Sequence, residues 1–418
     1  MNLDEEVRRR CQLARAAARR LGPRDTAAKN AALVAVADAL VANAGRVLEA
    51  NRADVQEARA RGTRDAVVDR LALDEARVAA VADAVREIAA LPDPVGETIS
   101  DETRPNGLRV RRVRAPLGVI AMIYESRPNV TVEASALALK AGNAIVLRGG
   151  SEAHRSNVTL ADIVRGAIAG AGLPEDAVQV LPFTDRDAVR ALVSQSELVD
   201  LAIPRGGEAL IRFVTDNARV PVVQHYKGVC HLFVDAGADL AQATSIVHNA
   251  KLSRPAVCNA LECLLVDASD APRVLPTLLT ALAEGGCELR GCERTRELFP
   301  AAKAAVDEDF GQEFGDPILA VRVVDGLDGA LAHVERYGSG HTEAILTPDP
   351  DHAARWRREV DAACVVVNAS TRFHDGGQLG LGAEIGIATS RLHWRGPMGL
   401  ESLTTMKWIV DGDGQVRR

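Results

Sequence analysis

No apolar run in this sequence approaches the ~20 residues that a membrane-spanning helix needs, so no segment reads as a span. The first ten residues are charged from the start and lack the apolar core of a secretory signal. Neither sign of charge is in large excess. A net charge of −7 offers no global attraction to nucleic acid or to an anionic membrane. Internal repeats and low-complexity stretches are absent too, which argues against a solenoid or a disordered linker protein. The seven cysteines are an odd number in a long chain, a poor basis for a disulfide framework. Reduced thiols in a cytoplasmic protein are therefore expected. Cys258/Cys263 and Cys287/Cys292 have a spacing loosely like that of a zinc site. Residues five apart on a strand face opposite sides of a sheet, so no metal is expected.

What is present is the composition of a globular protein, 47% hydrophobic and 26% charged. At 418 residues it is too long for one ordinary core, and two domains or one large composite are expected. Residues 3–91 are rich in Ala and Arg and have helical period. Leu3, Val7 and Cys11 share one face, and Leu33, Val34, Ala37, Leu40 and Val41 share another. Asp74 is placed to cap a helix that buries Val78, Val81, Val85 and Ile88 and stops before Pro92. In 95–114, Asn106-Gly107 between alternating segments signals a hairpin. Arg109, Arg111, Arg112 and Arg114 read as the solvent- or partner-facing charges of an edge ribbon.

Strand and helix then alternate, with strands at 117–123, 144–148, 178–182 and 199–203. This rhythm predicts βαβ units and a parallel sheet, a natural place for a nucleotide. The usual dinucleotide fingerprint is missing, since Gly170-Ala171-Gly172 follows a helix rather than a strand. Two strands instead end in Arg-Gly-Gly, at Arg148-Gly149-Gly150-Ser151 and Arg205-Gly206-Gly207. Strand-to-helix turns of this kind favour phosphate. Further strands are expected at 231–235, 260–266, 320–325, 343–347 and 364–368. A last one, at 403–410, is placed to lengthen the ribbon of another subunit. With that ribbon, it predicts a homo-oligomer.

One thiol stands out. Arg254-Pro255 breaks the preceding helix, Cys258-Asn259 follows on the turn, and Ala260–Val266 reads as a buried strand. Backbone N–H groups on such a turn can hold an oxyanion when sulfur adds to a carbonyl.

The segments 115–133 and 140–150, with Arg254-Pro255…Cys258-Asn259, 333–341, Ser370–Phe373 and Arg395–Glu401, resemble the gamma-glutamyl phosphate reductases of the aldehyde dehydrogenase superfamily. The resemblance covers essentially the whole chain. It implies an α/β fold with a Rossmann-like cofactor domain (1–94 and 115–226), an α/β catalytic domain (227–388), and an oligomerisation ribbon with a C-terminal tail (95–114 and 389–418). It also implies NADPH-dependent reduction of L-glutamyl 5-phosphate to the semialdehyde in proline biosynthesis, with Cys258 as nucleophile. Glutamate 5-kinase is the partner from which that substrate could be channelled; no nucleic acid or membrane partner is implied.

Departures from the superfamily pattern are informative. Gln224, followed by His225, stands where hydrolytic relatives carry a general-base glutamate, and an amide is no base. Glu125 stands where they carry an asparagine oxyanion donor, leaving Asn129, the Asn259 side chain or the Cys258 N–H for that part. Ser151 replaces the carboxylate that binds the adenosine ribose in NAD-preferring relatives. With Arg148 nearby, this favours a 2′-phosphate and hence NADPH. Gly149, Gly206 and Gly207 would border the cofactor, and Glu313 beside Phe314 would hold the nicotinamide ribose. The substrate's anions call for guanidinium groups. Ser370-Thr371-Arg372 is assigned to the amino-acid end, Arg127 or Arg254 to the phosphate, and His341 either reaches the site or lies at the surface. A hydrolytic aldehyde dehydrogenase, a Cys-His hydrolase and a non-enzymatic scaffold are the competing readings.

Overall fold

The computed structural model describes residues 2–417. The chain divides into two compact units, one of Met1–Gln224, Gly380–Gly386 and Met398–Arg418, the other of His225–Leu379 and Ile387–Pro397.

The first unit begins with α1 (Leu3–Leu21), α2 (Thr26–Ala42), α3 (Ala44–Ala60), α4 (Asp65–Leu71) and α5 (Glu75–Ala90). Side-chain caps start three of them. Asn2 forms a capping box with Glu5, and Asp25 and Asp74 accept from the N–H of Ala28 and Arg77. On α2 the buried face runs through Lys29, Leu33, Val36, Ala37 and Leu40. Val34 and Val41, expected on it, are 44% and 51% exposed. Lys29 lies on the buried face, its ammonium paired with Asp93. Val78, Val85 and Ile88 of α5 are buried as expected.

The ribbon is β1 (Thr98–Thr103) and β2 (Arg109–Pro116), antiparallel, with Gly107 at φ 86° in the turn, a conformation that favours glycine. The C-terminal strand Thr404–Asp411 pairs with β2 of its own chain, from Thr404↔Pro116 to Asp411↔Arg109. It therefore does not have to be lent to another subunit. Asn143, whose Nδ2 donates to the Leu403 carbonyl at 2.8 Å, holds its start in place. Three of the ribbon arginines are matched to acids on or just outside the neighbouring strands, Arg109 to Asp101, Arg111 to Asp411, and Arg114 to Glu97 and Glu401, while Arg112 lies over the Trp408 ring.

Next come β3 (Val119–Tyr124), α6 (Pro128–Lys140), β4 (Ala144–Gly149), α7 (His154–Gly170), β5 (Val178–Val180), α8 (Arg186–Val193), β6 (Leu201–Arg205) and α9 (Glu208–Asn217). The sheet order is β5-β4-β3-β6, all parallel. The chain steps from β3 to β4 and β5 on one side, then returns to place β6 on the other. The turns after β3, β4 and β6 thus flank a topological switch point, where ligands bind in open α/β sheets.

The second unit is built from β7 (Cys230–Val234), α10 (Leu240–Leu252), β8 (Leu261–Asp267), α11 (Ala271–Glu284), β9 (Glu288–Gly291), α12 (Glu293–Leu298), β10 (Lys303–Ala304), β11 (Ile318–Val324), α13 (Gly326–Tyr337), β12 (Thr342–Leu346), α14 (Pro350–Glu359) and β13 (Cys364–Val367). These seven strands form one parallel sheet of order β10-β9-β11-β8-β7-β12-β13, and the short segments Ile387–Ala388 and Gly396–Pro397 pair separately, antiparallel. Leu232, Val234, Leu264 and Val266 pack with Val247 of α10 and Leu278 of α11. Phe233, Leu265 and Ile345 face the other way, onto Ala330 and Trp356. Layers on both faces explain why these strands are nearly all apolar instead of alternating. A polar residue in one of them is therefore a signal.

Candidate active site

In the second unit α10 stops at Leu252, ahead of Ser253-Arg254-Pro255, because proline disfavours helical backbone in the residue before it and cannot donate. The turn that follows carries Cys258, half-buried, and leads straight into β8. Gly228 lies against this turn: a Cβ there would collide with the Cys258 carbonyl and come within 2.8 Å of its Cα. The Gly228 N–H donates to Glu313 Oε2 at 2.8 Å, so Glu313 sits one residue's width from the thiol-bearing backbone. Cys230 Sγ donates to the Cys258 carbonyl at 3.2 Å.

The predicted Ser370-Thr371-Arg372 segment does converge on Cys258-Asn259. Thr371 Oγ1 donates to the Asn259 carbonyl at 2.7 Å, and Asn259 Nδ2 donates to the carbonyls of His374 (3.0 Å) and Arg372 (3.4 Å). This corrects one expectation: the Asn259 amide ties two loops together rather than pointing at a developing oxyanion. Arg372, half-buried, donates from Nε to Ser253 Oγ at 3.3 Å. Burial, then the nearby Arg254 charge, lowers the Arg372 pKa, while Cys258 acts in the opposite sense. Arg254, on the same turn, is exposed. The Arg372 guanidinium thus lies near enough to the Cys258 thiol for their charges to interact.

His341 is neither at the surface nor isolated. It is wholly buried, with Nδ1 2.8 Å from Thr342 Oγ1 and 3.6 Å from Cys230 Sγ. Thr342 Oγ1 is also 2.7 Å from His374 Nδ1. The threonine hydroxyl has one proton, so it can donate to only one of the two imidazoles. The His225 ring lies 5.7 Å from that of His341, with its Nδ1 2.9 Å from the Ile387 carbonyl. Burial pushes the His341 pKa well down and that of His374 to about 4. These rings are neutral at pH 7.

In the first unit the turns after β3, β4 and β6 hold the remaining predicted residues. A Cβ at Gly149 would meet the Asn157 amide, so a larger residue there would displace that side chain. Arg148 is buried, and its Nη2 donates to the carbonyls of Thr184 and Asp185. It braces the segment between β5 and α8, contrary to the expectation of a guanidinium open to a 2′-phosphate. Ser151 lines a cleft of ≈ 330 Å³ together with Asp54, Arg61, Ser126 and Glu152. Glu152 is turned toward Ser126, accepting from its N–H and from its hydroxyl at 2.8 Å. Glu125 accepts from the Gly207 N–H at 3.1 Å at the start of α9, so that donor is satisfied by the protein's own carboxylate. Gly206 is held close to the same carboxylate, whereas Gly207 faces open space. Asn129 Nδ2 is 3.1 Å from both oxygens of Glu133, one helical turn on, and so is not presented as an oxyanion donor. Arg127, half-buried, precedes α6.

The chain as a whole is similar to known proteins. The aldehyde dehydrogenase family model matches residues 3–287. Gamma-glutamyl phosphate reductase of Sorangium cellulosum (strain So ce56) is 60% identical, covering 100% of this chain and 99% of its own. The enzyme of that name from Geobacter metallireducens (strain ATCC 53774 / DSM 7210 / GS-15) is 52% identical over the full length of both. Among solved structures, gamma-glutamyl phosphate reductase of Thermotoga maritima superposes with a TM-score of 0.98 at 46% identity, covering 99% of this chain and 100% of that one. The chain belongs to the aldehyde dehydrogenase family, in its gamma-glutamyl phosphate reductase branch. Its α/β fold with parallel sheets is that of the family.

Sequence reasoning missed Cys230, Thr342, His374 and Arg61. The first two left a trace, polar atoms at the starts of strands that are mostly apolar. His374 and Arg61 left none, since only the folded loops bring them to these positions.

The buried histidines predict the acid limb of stability. The His374 pKa falls from an ordinary 6.5 to about 4 on folding, chiefly by burial. Stability from this group is complete above pH 6.5 and is lost as pH falls toward 4, because the unfolded chain takes up a proton that the folded chain does not. At pH 5 the loss is about 2 kcal/mol, and His341 adds in the same direction. Urea midpoints at pH 7.5 and 5 should show this fall, and His374→Gln should flatten it.

Proposed function

We propose that this chain reduces L-glutamyl 5-phosphate to L-glutamate 5-semialdehyde, releasing phosphate, in proline biosynthesis, with NADPH as reductant. The observation that carries the reading is full-length likeness to gamma-glutamyl phosphate reductases, joined to a half-buried thiol at the matching turn. The Cys258 thiolate adds to the acyl carbonyl and expels phosphate, leaving a thioester, so that one hard displacement becomes two easier steps. A bound reduced nicotinamide would supply the hydride that reduces the Cys258 thioester. The thiohemiacetal then collapses, freeing the aldehyde and the thiolate. With the Asn129 and Asn259 amides engaged elsewhere, the oxyanion falls to backbone N–H groups of the turn. Arg254 and Arg372 steer and hold the substrate's anionic groups, with Ser370 and Thr371 shaping the amino-acid end. Arg127 is a further candidate for the phosphate.

The hydrolytic reading has less support. Gln224 cannot take a proton from water, and its Oε1 is buried without a partner. The thioester is thereby protected until hydride arrives.

For the cofactor, the switch-point turns and the Ser151 cleft of the first unit are the fitting place. NADPH over NADH is supported by Ser151 in place of a carboxylate, and by Arg61 in the same cleft. That guanidinium is paired with Glu57 in the cleft, and a 2′-phosphate would have to compete with this carboxylate for it. A homo-oligomer is supported by Met406, Trp408 and Val410, which alternate along the C-terminal strand at 49%, 64% and 57% exposure. An apolar row on an edge strand invites a partner. Cytoplasmic placement remains part of the same reading.

The reverse reaction tests the proposal: NADP+ reduction with glutamate semialdehyde should require phosphate, and phosphate-independent turnover would favour the hydrolytic enzyme. Cys258→Ala should lower kcat by at least about 10³-fold while fluorescence titration still shows NADPH binding. Arg61→Ala should raise KM for NADPH by about tenfold, the worth of one charged contact, and leave that for NADH unchanged. Light scattering at micromolar protein should give a mass above the 44.4 kDa of one chain.

A further inference from the structure

Parallel pairing sets three side chains in one row across the second sheet. Glu343 of β12 is in register with His231 of β7, and His231 with Cys263 of β8. Neighbours in register share a face, and here that face is covered by α13. Its His333 meets the row, with Nε2 3.5 Å from Cys263 Sγ and its ring 5.3 Å from that of His231 at 74°. One donor atom each from His231, Cys263 and His333 lie within 4.8 Å of one another. His231 and Cys263 are wholly buried and His333 is 5% exposed. His231 Nδ1 is 3.0 Å from Glu343 Oε2, so the proton on Nδ1 is directed at the carboxylate. Its Nε2 has no hydrogen-bond partner, nor has Glu343 Oε1 or His333 Nδ1. Buried polar atoms are seldom left so.

We propose that His231 Nε2, Cys263 Sγ and His333 form a zinc site, with Glu343 orienting His231 from behind. The donor set is one that Zn²⁺ favours, two imidazoles and a thiolate, with a fourth position left for water. A carboxylate on the far nitrogen of a ligating histidine is the usual support. Charge balances: the Cys263 thiolate and the Glu343 carboxylate offset the dication. Binding releases the thiol proton of Cys263 to solvent, together with any proton on His231 Nε2. To reach Zn–N and Zn–S bonds of about 2.0 and 2.3 Å the donors must close to roughly 3.5 Å apart, a rotamer-scale adjustment.

A way in exists. His333 also lines an open cleft of ≈ 430 Å³ with Cys292, Arg322, Arg336 and Tyr337. Its cations are partly neutralised, Arg336 by Asp307, while Arg322 lies over the Phe310 ring. The site is distinct from the Cys258 turn. Cys230, one residue before His231, points to the opposite face of the sheet and bonds the Cys258 carbonyl. The reaction proposed above and this site therefore stand or fall separately.

The test uses the full chain, stripped with a chelator and reconstituted with Zn²⁺ or Co²⁺ alone. Mass spectrometry should find about one zinc per chain after gel filtration, and the Co²⁺ form should show a thiolate-to-cobalt charge-transfer band. Cys263→Ala and His333→Ala should each abolish the band and the retained zinc, whereas Cys258→Ala should keep both. Wild-type protein that retains no zinc and shows no band overturns the proposal, and this readout does not depend on any variant folding. A band that survives in Cys263→Ala but vanishes in Cys258→Ala overturns it equally, by placing the metal on the other thiol.

Discussion

Gly228 lies so close to the Cys258 carbonyl that no larger residue fits, and this backbone contact organises the chemistry of the second unit. It exists because β7 and β8 are adjacent parallel strands, each entered from the same edge of the sheet. The segment before β7 and the turn before β8 must then meet. Everything at that edge is referred to the contact: Glu313 through the Gly228 N–H, Cys230 through the Cys258 carbonyl, and the 370–374 loop through Asn259. A thiol held by backbone rather than by long side chains loses little freedom on meeting a substrate. Such positioning is worth more to a covalent mechanism than any single contact.

The two units handle anions differently. Beside Cys258, Arg254 and Arg372 remain as cationic groups on or facing the turn. At the switch-point turns of the first unit the protein's own carboxylates are already in place, Glu125 on the Gly207 N–H and Glu152 on Ser126. A helix N-terminus attracts negative charge whatever its source. Arginine is likewise no guarantee of a binding site, as the buried Arg148 shows by donating to the Thr184 and Asp185 carbonyls. Residue type limits the chemistry a position can do, and surroundings decide whether it does it.

Periodicity carries local information well, and the elements it predicts are where they should be. Asp74 caps α5, Arg254-Pro255 ends α10, and the apolar run after Cys258 is β8. The βα alternation foretold the parallel sheets, because strands covered on both faces must be apolar throughout. Amide roles were not legible. Asn129 and Asn259 are plausible donors by type, yet one faces Glu133 and the other two carbonyls more than a hundred residues away.

By itself, then, the order of residues determined which segments are helix or strand, and that a cysteine stands on a turn ahead of a core strand. These follow from spacing and residue chemistry within short windows. Only tertiary structure decided that the C-terminal strand closes on its own ribbon, that His341 and His374 share one threonine hydroxyl, and that Glu343, His231 and Cys263 align beneath His333. Those juxtapositions depend on strand order and register, which short-range sequence leaves open because any two parallel strands can pair equally well until the whole sheet is assembled.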